Sequence, residues 1–364
     1  MSTKKKKSSK KKRRMTKIII FAVEIILLLI VLAILYVNLK LDKADTGNKE
    51  DIEKTEKNEL SKETQEIQAG YTTVAIFGLD NRSNGNFNSG NSDVIILASI
   101  NNDTKEVKLV SVYRDTYLNR TDGDGYGKCN AAFNRGGVSQ AISMLNVNLD
   151  LDIDNYVIVD FNAVSNAVDI LGGVEVDLDN TEVYGVNGYS LENYAQEVAR
   201  VTGKTSYPIS YNGPGMYLLD GVHATAYARI RYTAGSDYKR TERQREVIQA
   251  MVTKAKKSDL ATIDNLADAV LEDIKTSLTK TEILGLVADA FSYSLGENTG
   301  FPFDLEARDL GKAGDCVVPL DLASNVKQLH AFLFETEEYE VSDAVQKISD
   351  EIVKNTGLSA KDIP

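Results

Sequence analysis

Two groups of charged residues have types and spacings that could do chemistry. Asp80 and Arg82 follow one short apolar run, Asp93 opens a second, and Arg114 with Asp115 closes a third. Three carboxylates and two guanidiniums at such positions suit a hard divalent cation beside a bound phosphate. Carboxylate oxygens and water match Mg²⁺ (or Mn²⁺), while an arginine fork meets phosphate oxygens two at a time. Further along, Arg229 and Arg231 precede Asp237, Arg240, Arg243, Gln244 and Arg245. Positions i and i+2 diverge on a helix, so Arg229 and Arg231 share a face only where the chain is extended. That places them where a helix begun near Asp220 gives way to a loop. On the next helix Arg240, Arg243 and Gln244 fall on one face, with Asp237 a turn before them. Arg245 points elsewhere and reads as a surface charge. The plain alternative is a set of ordinary solvated charges paired with internal acids. The functional reading is a phosphate-bearing ligand.

These residues need a scaffold. Thr73–Leu79, Val94–Ile100 and Val107–Val112 are short, β-branched apolar runs, the last two joined by a turn over residues 101–105. Continuous apolar runs, as opposed to alternation, predict central strands covered on both faces. Two more strands are predicted at Tyr156–Asp160 and Val174–Leu178. Val138–Leu149, Phe161–Leu171, Asp220–Tyr232, Asp237–Lys257 and Thr281–Ser294 have helical spacing. This mix predicts an α/β domain with helices packed on a central mixed sheet. Strand ends of such a sheet are where loops converge over a rigid edge, which is where the acids and arginines stand. No internal repeat and no Pro- or Gly-rich break follows Gly70, so residues 71–364 read as one domain.

The net charge of −11 is unevenly spread. The first 17 residues hold ten Lys or Arg and no acid, which leaves about −21 on the rest. An acidic body argues against nucleic acid as a partner. Ile18–Val37 is apolar apart from Glu24, and twenty residues at 1.5 Å rise reach roughly 30 Å, a hydrocarbon thickness. The run is too long for a cleaved signal and predicts a single transmembrane helix over 18–38. The basic tail at 1–17 is then cytoplasmic and the remainder extracellular. Residues 39–70 are Lys/Glu/Asp/Asn/Thr-rich and read as a charged stalk, disordered or loosely helical. An oxidising compartment favours pairing the two cysteines, Cys129 and Cys316, as a disulfide. With only His223 and His330 beside them they make a poor zinc set. Both histidines read as structural.

The segments FGLDNR, NSDVIIL, VSVYRDTYL, KCNAAFNRGG, IDNYVIVDF, VDILGGVEVD, LDGVHATAYARIRY and DYKRTERQREVI occur in this order. Together they resemble the LytR-CpsA-Psr family of Gram-positive wall-polymer ligases, over Tyr71 to about Lys257. Cys316–Pro319 and Asn325–Phe334 resemble that family's C-terminal end. Asn91 departs from it, standing where arginine is usual. The resemblance implies a three-layer α/β/α sandwich holding a polyprenyl pyrophosphate, with its tail in an apolar cleft. Carried onto matching positions, Asp80 and Asp93 hold Mg²⁺. Arg82, Arg114, Arg229, Arg231, Arg240 and Arg243 surround the phosphates, with Gln244 nearby. The implied reaction passes a lipid-linked glycopolymer (teichoic acid, capsule or similar) to a peptidoglycan hydroxyl, the C6 hydroxyl of N-acetylmuramic acid. Asp115 or Asp237 would take the proton. Rival readings are a regulator that only holds polyprenyl phosphate, and a pyrophosphatase without transfer.

Overall fold

The computed structural model describes residues 45–79, 87–185, 189–231, 236–289, 292–336 and 338–363. The predicted span at 18–38 lies outside them. Among the described residues no helix is long and apolar enough to cross a membrane.

Helices α1 (Lys49–Glu53) and α2 (Lys62–Ala69) lead into strands β1 (Tyr71–Leu79), β2 (Ser92–Asn101) and β3 (Glu106–Val112). A short hairpin, β4 (Tyr117–Asn119) and β5 (Tyr126–Lys128), precedes α3 (Ala131–Leu149), β6 (Asn155–Val159), α4 (Phe161–Ile170) and β7 (Val174–Leu178). Then come α5 (Asn180–Tyr184), α6 (Leu191–Thr202), β8 (Gly215–Leu219), α7 (Gly221–Tyr227) and α8 (Ser236–Ala255). The C-terminal part holds α9 (Leu260–Glu272), β9 (Ile274–Thr276), α10 (Lys280–Ala288) and β10 (Ser294–Phe301). It ends with β11 (Leu305–Asp309), β12 (Asp315–Pro319), α11 (Leu322–Phe334) and α12 (Asp343–Thr356).

The six-stranded sheet runs β10-β3-β2-β1-β6-β9. Its centre is the antiparallel meander β1–β2–β3, while β6 joins β1 and β10 joins β3 in parallel, so the sheet is mixed. Phe77, Leu79, Ile95, Leu97 and Val110 bury one face in a cluster that includes residues of α3, α11 and α12. Ile96, Ala98 and Leu109 line the other face, where Ile248 of α8 packs. Helices on both faces are why these strands read as unbroken apolar runs. A second core forms around β7, β8, α6 and α7.

Three expectations change. From Asp45 onward the supposed stalk is docked on the domain: Tyr156 donates to Asp51 at 2.8 Å, Lys275 pairs with Asp51 at 3.2 Å, and Gln68 is buried. Polar hydrogen bonds hold the segment together with Ile52 and Ile67, which pack against the main core, and composition alone conceals that. The helix predicted over Thr281–Ser294 stops at Ala288, and Ser294 begins β10, a strand fixed by pairing with β3 far away in sequence. The helix predicted to reach Tyr232 stops at Tyr227.

Asp150 is a hub at the end of α3, with φ +52° and a fully buried side chain. Its carboxylate accepts from Asn58 Nδ2 (2.7 Å), Ser342 N (2.7 Å), Ser342 Oγ (2.6 Å) and Tyr339 O–H (3.1 Å). Beside it His330 stacks on Tyr339 at 3.7 Å and its Nε2 lies 2.9 Å from the Leu149 carbonyl. Burial pushes the His330 pKa down to about 4. An unfolded histidine titrates near 6.5, so between these values the unfolded chain binds the extra proton and acid favours unfolding. About 3 kcal/mol of stability should be lost as pH falls from about 6.5 to about 4. Urea unfolding of the wild type and His330→Phe across that range checks this. A wild-type slope matching the variant's would refute it.

Candidate functional site

The meander register pairs Ile96 with Ser111, and continuing it toward the strand ends brings Asp93 beside Arg114. Gly78 on β1 permits the close approach of β2 there, since a Cβ would lie 2.7 Å from the Val94 Cβ. Arg114 Nη1 donates to Asp93 Oδ1 at 2.7 Å and its Nε lies 3.5 Å from Asp115 Oδ2. One guanidinium therefore spans both carboxylates. Asp115, 7% exposed, also meets Lys128 Nζ at 3.1 Å and Arg231 Nη2 at 3.4 Å. Arg240 Nη2 donates to the Asp93 carbonyl at 3.2 Å. Residues from β2, the end of β3, the end of β5, the segment after α7, and α8 thus meet in one contact network.

The Arg229–Arg231 segment succeeds α7, which Asp220 caps by accepting from His223 N at 2.8 Å. Gly221 permits α7 to abut α4, because a Cβ would collide with the Ser165 carbonyl. His223 is structural. Burial opposes its charge, but contacts to Asp220 (2.8 Å) and Glu192 (3.5 Å) outweigh that and raise its pKa. Helix α8 clamps the backbone between Ala228 and Ile230. Arg243 Nη1 donates to Ile230 O at 3.1 Å, and Gln244 Nε2 to Ala228 O at 3.3 Å. Arg229 sits 3.4 Å from Glu197, with its guanidinium over the Phe161 ring at 4.4 Å. Arg243 is buried and donates to Glu182 at 2.8 Å. Its guanidinium holds α5 and the Ile230 backbone, which is a positioning arrangement.

The structure therefore joins Asp93, Arg114, Asp115, Arg231 and Arg240 directly, and fixes Arg229 between two carbonyls held by α8. Asp80 and Arg82 lie outside the described residues, as does the side chain of Asp237 in the first turn of α8. Lys128 is a site residue that sequence reasoning does not single out, although it opens the KCNAAFNRGG motif. Only its place in a hairpin facing β3 reveals it.

Two expectations are corrected. Arg245 does point away from Arg240, but it is 8% exposed and donates to Asn298 Oδ1 of β10 at 2.6 Å. Burial lowers its pKa, and its Nη1 has no hydrogen-bond partner among the described residues. Helical spacing gives direction, not burial. Arg245→Ala should destabilise the domain by about 1–3 kcal/mol through lost packing and the orphaned Asn298, and Arg245→Met by less. Unfolding midpoints in urea check this. The disulfide is also not formed. Cys129 and Cys316 are both buried and are not bridged. Cys129 Sγ donates to the carbonyls of Tyr113 (3.2 Å) and Arg114 (3.3 Å), and Cys316 Sγ lies 3.6 Å from Ala313 O. Burial pushes the Cys316 thiol up to about 11, which disfavours the thiolate that exchange requires.

Among the described residues no group of three or more His, Cys, Asp or Glu could hold a metal ion. Mg²⁺, however, is commonly held by one or two carboxylates plus phosphate oxygens and water. Asp93, with one carboxylate oxygen on Arg114, fits that mode.

With this geometry the chain belongs to the LytR_cpsA_psr family, whose model matches residues 35–294. It is 29% identical over 242 residues to a polyisoprenyl-teichoic acid–peptidoglycan teichoic acid transferase TagU of Enterococcus faecalis, covering 66% of this chain and 71% of that one. It is 31% identical over 218 residues to the Bacillus subtilis transferase TagT, covering 59% and 62%. The chain thus spans between about three fifths and seven tenths of these two relatives. Its fold is similar to that of protein gbs0355 from Streptococcus agalactiae (TM-score 0.59, 21% identity, 78% and 95% covered). It is also similar to that of TagT bound to LI-WTA (TM-score 0.51, 22% identity, 83% and 94% covered).

Proposed function

We propose that this protein is an extracytoplasmic phosphotransferase that moves a glycopolymer from a polyprenyl-pyrophosphate carrier to a peptidoglycan hydroxyl, the C6 hydroxyl of N-acetylmuramic acid. The observation that carries the reading is the network in which Arg114 spans Asp93 and Asp115 while Arg231, Arg240 and Lys128 close around them. The activities for which the relatives TagU and TagT are named support it. A basic cytoplasmic tail, a span at 18–38 and an extracellular domain complete the reading.

In the reaction the acceptor oxygen bonds to the sugar-linked phosphorus and the bridging P–O bond breaks, leaving polyprenyl monophosphate. Asp115 takes the hydroxyl proton. Arg114, Arg229, Arg231 and Arg240, with Arg82, hold the phosphates and meet the charge that builds on the leaving oxygens. Arg243 and Gln244 act through the Ala228–Arg231 backbone. When bound on Asp80 and Asp93, Mg²⁺ supplies further charge neutralisation. No protein nucleophile is needed.

The test is incubation of the full chain in lipid nanodiscs with lipid-linked polymer and peptidoglycan, following products by mass. A polymer–peptidoglycan phosphodiester with polyprenyl monophosphate is expected. Free polymer phosphate would indicate a pyrophosphatase, and unchanged substrate a binder.

A further inference from the structure

A cavity of about 380 Å³, a size within the usual range for small-molecule sites, opens beside Arg114 and Asp115. The β4–β5 hairpin forms one wall through Arg120 and Lys128, and the turn between β11 and β12 forms the other through Lys312. Asn91 also lines it. Four cations face one carboxylate, but they differ in their commitments. Arg120 staples its own hairpin, donating to Asp122 (3.0 Å) and to the carbonyls of Tyr126 (3.0 Å) and Asp124 (3.3 Å). Gly127 makes room for it, since a Cβ would collide with the Arg120 guanidinium. Arg114 spans Asp93 and Asp115, and Lys128 shares Asp115. Lys312 is exposed on the opposite wall, and no carboxylate among the described residues lies within ion-pair distance of it. The acids of its own hairpin, Asp309 and Asp315, are not part of the lining.

That wall is fastened to the site. Val317 N donates to the Asp115 carbonyl at 2.9 Å, and Thr116 bridges to Val317. Lys312 lies beyond residue 294, where the family match ends. If the carrier's phosphates lie toward Arg231 and Arg240, the cavity is the approach left open to Asp115. An acceptor hydroxyl giving its proton to Asp115 would enter there.

Resting on the transfer reading, we propose that this cavity is the acceptor subsite. Lys312, with Lys128, recognises an anionic group, carboxylate or phosphate, carried by the acceptor glycan near its reacting hydroxyl. An ammonium on a flexible stem selects by charge and tolerates variation in position, unlike an arginine fork.

The experiment uses the full chain in nanodiscs with saturating lipid-linked polymer. Acceptors are soluble peptidoglycan fragments whose carboxylates are either free or amidated. The wild type should show a KM about 2- to 5-fold lower for the free-carboxylate fragment, the size of an exposed ion pair. Lys312→Gln should erase that difference with kcat and the carrier KM unchanged, and Lys312→Arg should restore it. Equal wild-type KM values, or an unaltered Lys312→Gln variant, would overturn the proposal. A shift in the carrier KM alone would also overturn it, by placing the anion on the transferred polymer. Equilibrium binding of the same fragments without carrier separates the subsite from the transferase. Charge-selective binding lost in Lys312→Gln, without any transfer by the wild type, would leave the subsite standing and remove the transferase.

Discussion

Arg114→Ala should lower polymer transfer by about 10²–10³-fold, the range for removing one preorganised donor from a site where charge develops. Arg114 is the one described side chain that touches both Asp93 and Asp115, through different nitrogens of a single plane. Its loss removes a cation and also frees Asp93 to turn. Asp115 keeps Lys128 and Arg231, so the local fold should survive. Arg114→Lys retains the charge but not the fork, and should recover only part of the rate. Transfer rates with full-length protein, alongside thermal unfolding, make the comparison. A folded Arg114→Ala variant with near-normal transfer would remove the proposed centre.

The second large effect is on stability. Arg243 and Glu182 form a buried pair at 2.8 Å, and Glu182 Oε2 also accepts from Asp179 N at 3.0 Å in a capping box that starts α5. Arg243→Met leaves the Glu182 charge buried, with the Asp179 amide still donating to it. Breaking such a pair typically costs about 3–5 kcal/mol. Converting Glu182 as well, in Arg243→Met/Glu182→Leu, should return part of the loss, because burying two charges is itself unfavourable. Urea unfolding of the two variants measures this. An Arg243→Met protein of unchanged stability but without activity would return Arg243 to the ligand.

Legibility varies with the kind of signal. Asp93, Arg114 and Asp115 are readable because they end strands whose apolar runs are unambiguous, and antiparallel register does the rest. Arg229 and Arg231 are readable as a helix-to-loop boundary because i and i+2 diverge on a helix. Lys128 and Lys312 are not, since single lysines in short hairpins carry no periodicity. They come together where a short hairpin and a C-terminal turn meet across nearly 200 residues. Strand β10 escapes for a similar reason: Ser294–Phe301 has weak strand character, and pairing with β3 imposes it. Residues 45–70 mislead because a mostly polar segment can dock through hydrogen bonds and a few isolated apolar anchors, here Ile52 and Ile67. The sulfur pair misleads because the expected compartment fixes a tendency to oxidise, not a geometry.

The hub at Asp150 also bears on how the chain is made. Asn58 and Ser342 meet on that one carboxylate although 284 residues separate them. A polypeptide emerges from its N-terminus, so Asp150 exists long before three of its four donors, the Tyr339 hydroxyl and the Ser342 amide and hydroxyl, have been synthesised. Until then this part of the core stays open. Closure of this part of the module therefore comes late in synthesis, and of these four donors a nascent chain stopped short of Tyr339 offers the Asp150 carboxylate Asn58 alone. Shortened products of this protein would carry an open seam at Asp150.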